Sequence, residues 1–224
     1  IERSWFADTW RLDSFPNVYS PDIAMDAWRS TQDSRRYVFL AYRGKPYDSV
    51  PEGVYVVRSS NGGDSWNPPV LVAETDNADQ IGISSPVSGS YHNQSTDLLY
   101  VTFHSLSGGV DYVRFYGSED LGSTWPNSRY WTNAKDPSLA SDQDELVVCW
   151  VRATGGSANR VFTAWNTHKG KSDKWNTWGN PGALGTEVRS YSYGNYSRPS
   201  VALAQDTFPR GWFKTAVLTS CLLY

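Results

Sequence analysis

An eight-residue sentence occurs twice in this chain, as "SSNGGDSW" at 59–66 and "SEDLGSTW" at 118–125. Both follow one template: Ser, any, Asp or Asn, any, Gly, any, Ser or Thr, Trp. An altered third copy, "THKGKSDKW", keeps Thr167, Gly170, Ser172 and Trp175. A turn written repeatedly at wide intervals implies a structural unit built repeatedly. The residue types describe a fastened hairpin. Asp or Asn oxygens accept backbone N–H groups within a turn. Gly permits the positive φ of a chain reversal. Ser and Thr hydroxyls satisfy further backbone groups. Trp inserts a large ring between strands, leaving its N–H to find a carbonyl.

The sequence around these turns has a constant order. Prolines open apolar runs in "SPDIAMD" (Pro21), "SPVSGS" (Pro86), "DPSLASD" (Pro137) and "RPSVALA" (Pro199). A second run rich in β-branched and aromatic residues follows each: "RRYVFLAYRG", "DLLYVTFHS", "ELVVCWVRA" and "TAVLTSCLLY". After the first three comes an alternating run ("EGVYVVRSS", "GVDYVRFYGS", "NRVFTAWNT"), then the turn closed by Trp66, Trp125 or Trp175, then a short fourth run, clearest in "PPVLVAE". Four strands per unit, repeated in tandem, predict a β-propeller of four-stranded antiparallel blades. The blades fall near 17–77, 78–134 and 135–194, with a partial one at 195–224, all in one domain spanning 1–224. No segment sustains a 3.6-residue period, so helix is minor. A β-sandwich, the rival all-β reading, has no reason to repeat one turn sequence at one place.

Composition agrees and limits the partners. Aromatics make up 15% of the 224 residues, with 18 Gly and 12 Pro, as a turn-rich all-β chain requires. The net charge of −3 gives no basic surface for nucleic acid or anionic membrane. No apolar run approaches the roughly 20 residues that span a bilayer. The chain begins with Ile1, not Met, and shows no signal peptide, so either one has been removed or the chain is a processed piece. Cys149 and Cys221 both lie in apolar strand-like runs and read as buried thiols rather than a disulfide framework. "NQS" at Asn93 and "NYS" at Asn195 fit N-glycosylation acceptors and are compatible with a secreted or cell-surface origin.

The repeated turn resembles the Asp-box, or BNR repeat, of the sialidase-type propeller superfamily. Ser118, Asp120, Gly122, Thr124 and Trp125 match it fully; Ser59, Asn61, Gly63, Ser65 and Trp66 match with Asn for Asp; Gly170 and Trp175 keep part of it. The resemblance implies boxes on the blade periphery, away from the ligand face. It also implies an Arg-Ile-Pro motif opening the first blade, whose Arg grips a substrate carboxylate bidentately. Here "NVYSPDIA" puts Tyr19 at that position, and Lys135 and Arg198 are nearest in type at other blade openings. In "FLAYRGKPYDSVPEGVYVVRSSNGGDSW", Arg43 and Asp48 fall near the family's substrate-binding Arg and acid/base Asp. Asp48 also reads simply as a solvated loop carboxylate, and Arg43 as a salt-bridge residue. The Tyr nucleophile and its Glu partner are not assignable; Glu74, Glu119, Glu145 and Glu187 qualify only by type.

Other chemistry is sparse. His92, His104 and His168 lack metal-ligand spacing. His104, ending a strand beside a Gly-rich loop, reads either as a residue of the propeller face or as a satisfied structural histidine. The stretches "ETDNAD" and "SDQDE" offer oxygens for Ca²⁺ but lack EF-hand spacing and read by default as solvated loops; otherwise no cofactor is indicated. Trp165, Trp175 and Trp178 lie among polar turn residues, where exposed rings stack on sugars and buried ones form blade core. About three and a half blades are visible, and the chain ends within an apolar run at Tyr224. Either residues 1–16 close a small four-bladed ring, or a second chain or copy completes it, or the chain is part of a six- or seven-bladed protein. Three functional readings follow: an extracellular glycan- or protein-binding scaffold, a sialidase-like glycoside hydrolase using Asp48 and Arg43, and a structural subunit of a larger assembly. Tyr19, His104, Trp165 and Trp178 are the candidate ligand contacts.

Overall fold

The computed structural model describes residues 18–29, 35–86, 97–142, 145–153, 159–166, 170–171, 175–176, 186–187, 195–204 and 214–222. These residues are all-β, and none belongs to a helix long and apolar enough to cross a membrane. The first sheet is an antiparallel meander of β1 (Val18–Arg29), β2 (Arg36–Gly44), β3 (Gly53–Ser59) and β4 (Val70–Glu74). The second repeats it with β5 (Ala78–Ser84), β6 (Leu99–Ser107), β7 (Val110–Ser118) and β8 (Asn127–Thr132). The third has β9 (Ala134–Asp142), β10 (Glu145–Ala153), β11 (Asn159–Asn166) and β12 (Trp175–Asn176), with β13 (Thr186–Glu187) also paired to β11. β14 (Asn195–Ala204) and β15 (Lys214–Leu222) pair as a fourth sheet. The leading strands touch in succession, β1 to β5, β5 to β9 and β9 to β14, so the sheets are the blades of a partial β-propeller.

Blades stacked face to face explain why their central strands are apolar on both sides. In β2, Phe39 and Ala41 join Val54 and Val56 of β3 in a cluster completed by Leu99, Val101 and Phe103 of the second blade. The alternate residues Leu40, Tyr42, Tyr55 and Val57 form a separate cluster on the other face. Between the second and third blades, Trp131 of β8 stacks on Trp150 of β10 at 4.6 Å, and both are buried. Cys149 is a free, buried thiol beside Val147 and Val201, and burial pushes it up to about 12, against a smaller downward pull from Ser138. The side chain of Cys221 lies outside the described residues.

The Trp-closed turns join the third and fourth strands of each complete blade. In the first, Ser59 Oγ accepts from Gly63 N at 2.8 Å and donates to Asn61 Oδ1 at 2.7 Å, while Ser65 N donates to Asn61 Oδ1 at 3.0 Å. In the second, Ser118, Gly122, Asp120 and Thr124 make the same bonds, and Thr124 Oγ1 adds one to Asp120 Oδ2 at 2.6 Å. Gly63 and Gly122 both have positive φ, 97° and 81°. The third turn corrects the alignment made from sequence. Gly170 N donates to Asn166 Oδ1 at 3.1 Å, so Asn166, not Thr167, holds the first position. Here a carboxamide oxygen one residue earlier replaces the hydroxyl of the template.

The rings of the turns also reach further than their own hairpins. Trp125, from the second blade, packs in the cluster shared with the first blade, and Trp175, from the third, meets Phe115 and Trp131 of the second at 4.7 and 5.2 Å. Arg58 of the first blade donates to Leu121 O in the second turn at 3.2 Å. A Cβ on Gly170 would lie 2.8 Å from the Phe115 ring and one on Gly122 3.0 Å from Leu99. The second and third turns therefore each fasten their blade to the preceding one. The Nε1 atoms of Trp125 and Trp175 are buried without a hydrogen-bond partner, so these rings act through packing rather than the carbonyl bond expected from sequence.

The inner strands share a bulge. Gln80 and Ile81 stand opposite Phe103, Asp136 and Pro137 opposite Trp150, Arg198 and Pro199 opposite Thr219, and residues 19–22 opposite Arg43. Proline suits such unpaired positions because it has no N–H to offer the ladder. Pro21, Pro137 and Pro199 lie there, but Pro86 does not: β5 ends at Ser84, and Ile81 takes the equivalent place. The second blade's opening strand, "ADQIGIS", precedes Pro86 and is too polar to read as an apolar run.

Two outcomes test this account. Trp150→Ala should destabilise the fold by about 3–5 kcal/mol in a denaturant titration, since it empties the blade interface. Partial burial pushes the Asp120 carboxyl up, but hydrogen bonds from Thr124 and Ser118 outweigh it and hold the group below its ordinary value. Its stabilisation is present above the ordinary carboxylate range and is lost as pH falls through the lowered value. Asp120→Ala should therefore cost about 1 kcal/mol at neutral pH. Asp120→Asn, which copies Asn61, should melt close to the parent and lose this acid sensitivity.

Candidate functional site

The meander places the β2–β3, β6–β7 and β10–β11 links at one end of the blades, with the starts of β1, β5 and β9. The Trp-closed turns occupy the other end. At the first end, β6 and β7 are joined by Gly108 and Gly109, with φ of 58° and 78°, a two-residue reversal only glycine adopts readily. That turn sets the register, pairing His104 with Val113 and Leu106 with Asp111. On the other side His104 pairs with Asp79 of β5, the last residue before the bulge.

The imidazole lies between the two carboxylates. His104 Nδ1 is 2.5 Å from Asp79 Oδ1, and Nε2 is 2.9 Å from Asp111 Oδ1. The ring side chain is 14% exposed, the carboxylates 48% and 45%. The bulge continues the cluster toward the third blade. Gln80 Nε2 donates to Asp136 Oδ1 at 2.5 Å, and Asp136 N donates to Gln80 Oε1 at 2.8 Å. Both residues have φ of 52°, a strained setting for non-glycine residues that this reciprocal pair offsets. On the other flank Asn77 Nδ2 donates to Leu106 O, and Leu106 N to Asn77 Oδ1 at 3.3 Å. The result is a polar cluster at this end of the second blade, tied to the third blade through Gln80 and Asp136, with half-exposed acceptors on a fixed ladder.

The residues singled out from sequence meet different fates. His104 lies at the centre of this cluster. Arg43 Nε and Nη2 donate to Glu52 Oε1 at 2.9 and 2.6 Å, and Nη2 also donates to Asp76 O, so it braces the β2–β3 and β4–β5 links of the first blade. Asp48 is exposed in the β2–β3 link. Trp165 packs against Val147, Cys149 and Val201, between the third and fourth sheets, rather than forming an open sugar platform. Lys135 is exposed at the start of β9, Glu74 is exposed at the end of β4, and Glu119 accepts from Asn127. Tyr19 lies in the β1 bulge opposite Arg43, and Asn195 begins β14; their side chains, with those of Arg198, Glu145 and Glu187, lie outside the described residues. Residues 1–16, His92, Asn93, Thr167, His168, Ser172 and Trp178 also lie outside them.

Of the two Ca²⁺ candidates, "ETDNAD" commits Asn77 to Leu106 and Asp79 to His104. Among the described residues no group of three His, Cys, Asp or Glu is arranged to hold a metal ion. Asp79 and Asp111 were not anticipated as a pair. For Asp111 the signal was present: a Gly-Gly hairpin fixes which residues face each other across it. Asp79 carried none, because its strand was not recognised.

No protein-family model and no curated protein matches the chain. Among solved structures it is similar to Bacteroides ovatus Xyloglucan PUL GH43B, at 9% identity and a TM-score of 0.38, covering 84% of this chain but only 38% of that one. A structure described as a glycoside hydrolase matches at 10% identity and a TM-score of 0.40, covering 92% and 73%. The exo-β-1,3-galactanase 1,3Gal43A from Clostridium thermocellum matches at 12% identity and a TM-score of 0.30, covering 88% and 53%.

Removing the imidazole should leave two carboxylates facing an empty site. His104→Ala is expected to cost about 1–2 kcal/mol, discounted because both carboxylates are half in water. Adding Asp79→Asn to it should recover part of that loss, which a double-mutant cycle by thermal melting would show.

Proposed function

We propose that this protein is an Asp-box propeller of the secretory route or cell surface that binds glycans at the end opposite its Trp-closed turns. The observation that carries the reading is the half-exposed Asp79–His104–Asp111 cluster at that end of the second blade. Sugars present many hydroxyl donors, and their recognition needs a few acceptors held at fixed positions. The β-ladder, the Gly-Gly turn and the bulge hold these carboxylates before any ligand arrives, which lowers the ordering cost of binding.

A second reading is favoured by the same atoms. Two carboxylates held apart by the width of an imidazole are also a starting arrangement for glycoside hydrolysis. In the sialidase-like version, Asp48 at the same end of the first blade is the acid/base. Arg43 would then have to exchange its pairing with Glu52 for a substrate carboxylate.

Glycan-array retention separates the readings. The parent protein should retain a subset of glycans, and Asp79→Asn with Asp111→Asn should weaken retention at least tenfold, about 1.4 kcal/mol, while circular dichroism remains that of the parent. No retention by the parent would overturn the proposal. Turnover of fluorogenic glycosides that is lost in Asp48→Asn would replace it with the hydrolase reading.

A further inference from the structure

Asn61 and Gly62 form the chain's one Asn-Gly dipeptide, and they sit inside the first Trp-closed turn. We propose that Asn61 is a site of spontaneous deamidation, gated by opening of that turn, and that its aspartyl product still fastens the hairpin. A following glycine carries no Cβ to obstruct its backbone nitrogen, so Gly62 N can approach Asn61 Cγ. The N–Cγ bond forms, the Cγ–Nδ2 bond breaks, and ammonia leaves with the proton given up by Gly62 N. Water then opens the cyclic imide. Opening at Cγ gives Asp, and opening at the main-chain carbonyl gives isoaspartate, whose backbone is longer by one methylene.

The folded turn opposes the first step. Gly62 N is engaged with Arg36 O at 2.8 Å, beside the isolated bridge between Arg36 and Asn61. The Asn61 side chain is exposed to water but held at both ends. Its Oδ1 accepts from Ser59 Oγ and Ser65 N, and its Nδ2 donates to Ser65 Oγ at 2.9 Å. Attack requires the nitrogen to leave Arg36 and the amide to leave Ser65. Reaction therefore proceeds from the opened turn, at a rate set by how often it opens.

The second turn shows what the aspartyl product would meet. Asp120 accepts from Ser118 Oγ, Thr124 N and Thr124 Oγ1 at 2.6–2.8 Å. An aspartate at 61 can take the equivalent bonds from Ser59 Oγ, Ser65 N and Ser65 Oγ once the Ser65 hydroxyl turns to donate. Isoaspartate would shift Gly62 and Gly63 out of their left-handed settings, φ 79° and 97°, and release the bond from Gly63 N to Ser59.

The test is peptide mapping by mass spectrometry of the full chain incubated at mildly alkaline pH, folded and in denaturant, together with the melting temperature of Asn61→Asp. Expected are conversion at Asn61 at least tenfold faster in denaturant than in the fold, and an Asn61→Asp melt at or above that of the parent. No conversion in denaturant would overturn the site, equal rates would overturn the gating, and a lower melt for Asn61→Asp would overturn the fit of the product.

Discussion

The hydrogen bond from a glycine N–H to a side chain four residues earlier holds each Trp-closed turn, and the rest of the propeller depends on it. Ser59, Ser118 and Asn166 accept it from Gly63, Gly122 and Gly170. It closes a loop tight enough to bring the second and third turns against the preceding blade. Trp125 and Trp175 then add ring burial there, and Arg58 adds a cross-blade bond to Leu121. Blades that meet through apolar faces could slide if only dispersion held them. The turn supplies a fixed point on each, so packing and position are set together.

Fixing one end of the blades leaves the other end to be shaped locally. There the bulges in the inner strands re-aim side chains without breaking the sheet. Asp79, just before its bulge, is delivered to His104, and Gln80 crosses to Asp136 on the next blade. The polar cluster thus arises from irregularity at one end of strands whose regularity is enforced at the other. This division explains why the most repetitive residues of the chain are structural and the least repetitive ones gather at the candidate ligand site.

Much of this organisation is written in local pattern. The turn template gives a hairpin joint, and the apolar runs give blades, because both signals depend on residues close in sequence. What is not local was not legible. The Asp79–His104 contact depends on a strand too polar to stand out, and Pro86, which seemed to open it, follows it instead. Asn166 doing the work of a serine is invisible to a template that fixes the hydroxyl. The direction in which Trp125 and Trp175 point, toward the preceding blade, is a property of packing between repeats. Trp165 shows the converse: an aromatic among turn residues reads either as sugar platform or as blade core, and only the cover of a neighbouring sheet decides for the core.

The central claim is that the turns couple neighbouring blades rather than merely ending hairpins. Native-state hydrogen exchange at the Gly122 and Gly170 amides tests it most directly. The account predicts that the Gly122 amide opens together with the central strands of the first blade, and the Gly170 amide with those of the second, at free energies close to global unfolding. Exchange of these amides through fast local openings, while the adjoining strands stay protected, would contradict it.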